Sequence, residues 1–361
     1  MPSSTGLSTE ARPAAGWPAE GWLPAAFNQG HVYADRPGKG ASIAAFYADR
    51  YSHSDLGKWQ QRLAAGEIWC NGQQLWADGP LQAGDRLTWH RPPWQEAAVP
   101  ALPHPLFDDG DLVVINKPSG LPVLPAGGFL QHTLLHQLQQ HDCHDPGAIP
   151  RPVHRLGRFT SGLLVCARTA AARAWLSAQL RESTSRAAGV LPSDCRKLYR
   201  ALVACPAPGS ALAEAEAALV RGDTLALTTA IGRRPHPRLG QLWSAAAPGD
   251  PGGLAATSSV RLLERRAQGW LVEVTIASGR PHQIRIHMAA AGAPLLGDPL
   301  YLPGGLARAD ALPGDGGYQL HAHRLSLCPP AGQPIALEAP LPPALQAASA
   351  DGDGYGDGAQ F

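Results

Sequence analysis

The sequence predicts an α+β protein made of a small N-terminal module and a larger C-terminal domain. Two observations carry this expectation. Between Leu106 and Pro343, strand-like apolar runs alternate with helix-like stretches, and between Ala41 and Trp89 a shorter pattern of the same kind stands apart. A proline-rich stretch from Arg91-Pro92-Pro93-Trp94 to Pro105 separates them and reads as a linker, because proline withdraws backbone donors and stiffens the chain.

Residues 1–37 are rich in Ala, Pro and Gly without a period and are expected to be a leader lacking regular structure. The module spans 38–92. Ala41 to Tyr47 and Leu56 to Ala64 predict two short helices, the second with Trp59, Leu63 and Ala64 as its apolar positions. Glu67 to Gly72 predicts a strand running into an Asn-Gly turn, and Gly84 to Trp89 a second turn and strand. After the linker (93–105), the large domain spans 106–345. Leu112 to Asn116 reads as a buried strand ended by Lys117-Pro118-Ser119-Gly120, Gly162 to Ala167 as another, and Trp270 to Ile276 as a third. Thr169 caps a predicted helix with Ala172, Leu176 and Leu180 on one stripe. The Asp/Gly-rich residues 346–361 are expected to form a loose tail.

Bulk properties exclude several classes. The chain of 361 residues holds no run of 18 apolar residues, so no membrane span is expected, and its start lacks the basic and apolar regions of a secretion signal. Six cysteines without a CxxC pair point to reduced thiols and a cytoplasmic protein. Histidine spacing gives no metal site: His321 and His323 are two apart, His282 and His287 five apart, with no cysteine to complete a zinc set. Net charge is only +1, yet Pro146 to Arg181 contains six arginines and no acid, and Val274 to Gly297 carries Arg280, His282, Arg285 and His287 without an acid. Such local cationic patches suit phosphates. A solvated arginine face is the competing reading.

Three motif segments carry the chemistry: His154-Arg155-Leu156-Gly157-Arg158-Phe159-Thr160-Ser161-Gly162-Leu163, then Lys197-Leu198-Tyr199-Arg200-Ala201, then Gly279-Arg280-Pro281-His282-Gln283-Ile284-Arg285-Ile286-His287, followed by Gly297-Asp298-Pro299-Leu300-Tyr301. Asp109 to Gly120 precedes them and Leu320-His321-Ala322 follows. Together they resemble the RluA-like RNA pseudouridine synthases, whose patterns are HRLDxxTSGL, KxYxAxV and GRxHQIRxH. The 38–92 module in turn resembles S4-type RNA-binding domains. The resemblance implies a mixed, largely antiparallel central sheet with helices packed on it. It implies uridine isomerisation in ribosomal or transfer RNA without a cofactor; no P-loop, dinucleotide fingerprint or HExxH motif is present. A monomer is expected.

Carried over to this chain, the resemblance makes Tyr199 the tyrosine that packs on the target base and Arg285 the arginine that pairs with the catalytic aspartate. Arg155 would fill the space left when the base is flipped out. His154, Arg158, Lys117, Lys197, Arg280, His282 and Gln283 are expected to contact RNA. Pro281 suits the first turn of a helix that stops at Gly292 and puts His282 and Arg285 on one face.

One position departs from the pattern. Gly157 stands where the aspartate belongs, and glycine is neither nucleophile nor base. The nearest acids in sequence are Asp145 and Glu182, and Asp298 falls in a motif where an acid is usually structural. The flanking residues are intact, which resembles a distinct branch of the family. Two readings follow, an active isomerase using another group and an RNA-binding paralogue without catalysis. A left-handed backbone at Gly157 would strain an aspartate there.

Overall fold

In the computed structural model, residues 21–40, 42–51, 53–141, 149–185, 197–247, 249–276, 279–329 and 333–348 are described. The N-terminal module folds as two helices against four antiparallel strands. Ser42 caps the helix Ile43–Arg50 through its side chain, and Asp55 caps Leu56–Ala64 likewise. The strands His31–Asp35, Leu87–Arg91, Ile68–Cys70 and Gln73–Gln74 pair in that spatial order. Asn71 and Gly72 both take positive φ, 51° and 82°, and close the two-residue hairpin between Cys70 and Gln73. Trp59, Trp89 and Tyr47 are buried in its core, and the Arg62 guanidinium lies 4.3 Å from the Trp59 ring.

Two boundaries need correction. His31–Asp35 fell in the expected leader but forms a strand, register-paired from His31↔Arg91 to Asp35↔Leu87. The short strands Gln95–Glu96 and Val99–Pro100 fell in the expected linker, and they pair with Ala26–Phe27 and Trp22–Leu23. A carboxylate explains why this segment is held. Glu96, 1% exposed, accepts from the side chain of Asn28 at 2.6 Å and from the backbone N–H groups of Leu130, Gln131 and His132 at 2.7–3.2 Å. Trp94 Nε1 adds a bond to the Gly128 carbonyl at 2.8 Å. The connection is therefore a clasp between the module and the large domain. Of the expected tail, Gln346 and Ala348 bond to Arg266 and Glu264; residues 349–361 lie outside the described residues.

The large domain is built on a mixed sheet of ten strands among the described residues. Its main order is Thr224–Leu227, Ser258–Arg266, Gly269–Ile276, Lys197–Val203, Leu320–Leu327, Thr160–Ala167, Leu112–Lys117 and Pro105–Asp108. All of these neighbours are antiparallel except the pair Thr160–Gly162 with Leu320–Ala322, which is parallel. The α+β class with a largely antiparallel sheet thus holds. Thr169 Oγ1 accepts from Ala172 N–H at 3.1 Å and starts the helix Ala170–Ser185. Two apolar cores flank the parallel junction. One gathers Val113, Ile115, Leu138, Leu164 and Leu176, the other Val203, Val260, Val272, Ile284 and Met288. Tyr199 packs against both.

Burial alone would raise the Glu96 pKa, but its four donors outweigh it and hold the carboxyl below its ordinary range. The stabilisation is complete above about pH 4.3, the unfolded-chain value. It is lost as pH falls through the depressed folded value. Glu96→Gln should lower unfolding free energy at pH 7, and the gap to wild type should narrow in acid. A gap that stays constant from pH 7 to pH 3 in denaturant titrations would count against the clasp.

Candidate active site

The three motifs meet at one cavity of about 400 Å³. His154, Arg155, Leu156, Gly157 and Thr160 come from the loop entering the strand Thr160–Ala167. Lys197 and Tyr199 come from the strand Lys197–Val203, and Arg280, His282, Gln283 and Arg285 from the start of the helix Gln283–Ala290. Tyr318 and Leu320 close the set. That volume suits a nucleoside-sized group.

The loop bearing Gly157 is fastened from below. Lys117 is fully buried, and its ammonium donates to the carbonyls of Pro118, Leu121 and Arg158 at 2.8–2.9 Å. The Gly120 N–H donates to the Arg158 carbonyl at 2.9 Å, and Arg158 Nε donates back to the Gly120 carbonyl at 3.0 Å. The Arg158 guanidinium sits 4.5 Å from the Phe129 ring and 5.0 Å from Phe159. Neither Lys117 nor Arg158 lines the cavity. The expectation that Lys117 meets RNA gives way: its three N–H donors are spent on carbonyls inside the protein. His154 Nε2 accepts from the Val165 N–H at 3.0 Å, and burial, helped by Lys197, pushes its pKa down to about 3. It lines the cavity as a neutral ring, not as a phosphate-binding cation.

At the helix start the expected geometry is shifted. The helix begins at Gln283, so Pro281 lies before the first turn and His282 is the N-cap. His282 holds φ 56°, a left-handed conformation that is rare for a residue with a side chain and costs about 1–3 kcal/mol. It is held by a relay. Tyr301 Oη donates to the Trp243 carbonyl at 2.7 Å, so His282 Nδ1–H donates to Tyr301 Oη, also at 2.7 Å. Burial, then the Arg285 charge, pushes the His282 pKa down to about 3, so the ring is neutral. Gln283 spends its amide on the Arg280 N–H, the Thr257 carbonyl and Ser258 Oγ. Gly292, φ 90°, ends the helix as expected.

Arg285 does find a carboxylate. Its Nε and Nη2 donate to the two oxygens of Asp298 at 2.7 and 2.8 Å, and Nη1 donates to the Pro313 carbonyl at 3.1 Å. Side-chain exposure is 3% for Arg285 and 0% for Asp298. Burial disfavours the guanidinium charge, but Asp298 and the flanking tyrosines more than restore it. Asp298 also accepts from the Leu300 and Tyr301 N–H groups and does not line the cavity. It anchors the arginine and leaves no free oxygen facing a substrate. Asp145 lies outside the described residues.

Gly157 is exposed to the cavity, and its φ lies outside the left-handed region, so backbone strain is not what selects glycine. Space is. A Cβ at 157 would meet Tyr318 Oη at 2.3 Å and Thr160 Oγ1 at 3.3 Å. Tyr318 is 2% exposed, its hydroxyl 3.2 Å from Thr160 Oγ1, and its ring lies 4.2 Å from the Arg285 guanidinium carbon. Sequence reading overlooked both Thr160 and Tyr318 as site residues. The available signal was a tyrosine two residues before Leu320-His321-Ala322, but only the strand register brings it to Gly157.

Residues 111–290 match the family model for RNA pseudouridylate synthases. A Synechocystis protein described as an uncharacterized RNA pseudouridine synthase is 42% identical over 83% of this chain and 94% of its own. RNA pseudouridine synthase 5 of Arabidopsis thaliana is 37% identical over 88% of this chain and 95% of its own. Ribosomal large subunit pseudouridine synthase D of Neisseria meningitidis is 34% identical over 81% and 72% respectively. The chain belongs to the RluA-like family of RNA pseudouridine synthases, a family of isomerases.

The buried pair sets a stability test. Asp298→Ala leaves the Arg285 charge uncompensated in the interior and should cost about 3–5 kcal/mol of unfolding free energy. A loss below about 1 kcal/mol in urea unfolding would show that Arg285 finds another partner.

Proposed function

We propose that this protein isomerises uridine to pseudouridine in ribosomal or transfer RNA at the cavity between Gly157, Tyr199 and Arg285. The observation that carries the reading is the convergence of all three motifs on that one cavity. The relative named for the ribosomal large subunit favours a ribosomal substrate. Tyr199, half-buried at the seam of the two cores, offers a ring for the extruded base to stack on. Arg155, exposed at the rim, fills the gap left in the RNA stack, and Arg280 and Lys197 face its phosphates. The module around 31–91 acts as an S4-type RNA-binding domain, clasped to the catalytic domain through Glu96. The reaction draws on no cofactor, and the protein works as a cytoplasmic monomer. Among the described residues no helix is long and apolar enough to cross a membrane, and no cluster of His, Cys, Asp and Glu could hold a metal ion.

The test is chemical mapping of pseudouridine in unmodified ribosomal and transfer RNA after incubation with the protein. The wild type should convert a uridine at a defined site, and Tyr199→Ala should slow conversion by at least about 100-fold, in the range of a lost catalytic contact. A wild type that binds RNA but converts nothing would establish the non-catalytic reading suggested by Gly157. RNA affinity should also fall steeply with salt. Arg155→Ala should lower that slope by about one counterion if the guanidinium meets a phosphate, and should leave it unchanged if it only fills the stack.

A further inference from the structure

We propose that the Tyr318 hydroxyl is the reacting oxygen of this enzyme, in the place where the family pattern has an aspartate. The inference rests on the isomerase reading and adds the residue that the Gly157 substitution leaves missing. Four observations converge on it. The Tyr318 oxygen lies 2.3 Å from where the first carbon of a side chain at 157 would sit, so the two positions share one volume. Tyr318 lines the same cavity as Tyr199 and Arg285. Its hydroxyl is oriented by Thr160 Oγ1 at 3.2 Å, and its ring by Phe159 edge-on at 6.1 Å. Arg285, whose family role is to pair with the aspartate, instead stacks its guanidinium 4.2 Å from the centre of the Tyr318 ring. Asp298 does not compete for the role, because both its oxygens are held by Arg285.

The chemistry balances without a further reactant. The phenolic oxygen attacks carbon 1 of the ribose and forms a C–O bond as the bond to uracil N1 breaks. The N1 electron pair leaves with the base, which takes up the phenolic proton. After the base turns, its carbon 5 attacks carbon 1 of the ribose, the C–O bond to Tyr318 breaks, and the proton lost from carbon 5 returns to the phenolate. Attack by a tyrosine on an anomeric carbon in place of a carboxylate has precedent in sialidases. Arg285, held over the ring by Asp298, offsets the negative charge that develops on the phenolate as it leaves. Gly157 is then a requirement of the arrangement, since any larger residue would displace the hydroxyl.

Full-length wild type, Tyr318→Phe, Gly157→Asp and the double variant are compared on the same unmodified RNA in single-turnover conversion, alongside melting temperature and RNA affinity. Tyr318→Phe should lose conversion on the order of 10³-fold or more, as when a nucleophile is removed, with RNA affinity within about twofold of wild type. Gly157→Asp alone should also lose conversion, because its Cβ meets the hydroxyl. In the double variant the Cβ meets the nearest ring carbon at 3.7 Å, an ordinary contact, and Thr160 Oγ1 at 3.3 Å, which a small shift of that hydroxyl relieves, so conversion should rise at least tenfold over Tyr318→Phe. Folded Tyr318→Phe that converts uridine at the wild-type rate overturns the assignment and leaves the isomerase reading intact. A silent wild type overturns both. A folded double variant no faster than Tyr318→Phe removes the shared position on which the assignment stands.

Discussion

The site depends on one close approach. Where Thr160–Gly162 runs parallel to Leu320–Ala322, a Cβ on Gly162 would lie 2.2 Å from the Ala322 carbonyl oxygen, and Gly162 takes φ 99°. Only glycine lets the two backbones meet there. Elsewhere along its main path the sheet is antiparallel, so this is where its two halves join. Because the pairing is parallel, the segments that lead into both strands arrive from the same side, one carrying Gly157 and the other Tyr318. Tyr199 stands on the next strand, touching both cores. The cavity is the space this junction leaves open.

Much of this was legible in the sequence because it is local. The Asn71-Gly72 hairpin, the Thr169 cap and the buried strands at Leu112, Gly162 and Trp270 follow from side-chain period and turn chemistry within a few residues. The strand His31–Asp35 escaped because its Val-Tyr pair stands among Gly, Pro and charged residues with no longer alternation around it, and Gln95–Glu96 is two residues long, too short to show a period. The motif residues could be identified singly, and the cavity does unite most of them. The partners of Gly157 and Arg285 could not be read. Tyr318 reaches Gly157 through a register between residues some 160 apart in the chain, for which local pattern carries no signal, and Asp298 reaches Arg285 through the loop that follows the helix, 13 residues on.

The arginines make the same point about charge. The acid-free stretches suggested cationic surfaces, yet Arg168 forms a two-pronged pair with Asp108 and Arg285 another with Asp298. Each acid lies outside the stretch that holds its arginine, Asp108 well before it and Asp298 just past its end. Folding therefore neutralises part of what looked like phosphate-binding charge, and leaves Arg155 as an exposed guanidinium on the cavity rim.

Lys117 has a consequence for motion. Its ammonium ties the turn Pro118–Leu121 to the carbonyl of Arg158, beside the loop that carries Arg155 and Gly157. Burial, then the Arg158 charge, pushes the Lys117 pKa down to about 7, and pulling that loop away would leave the buried amine and its carbonyls without partners, which ties the two segments together. The rim of the cavity is thereby braced from beneath, so a group that enters there meets a wall that yields little.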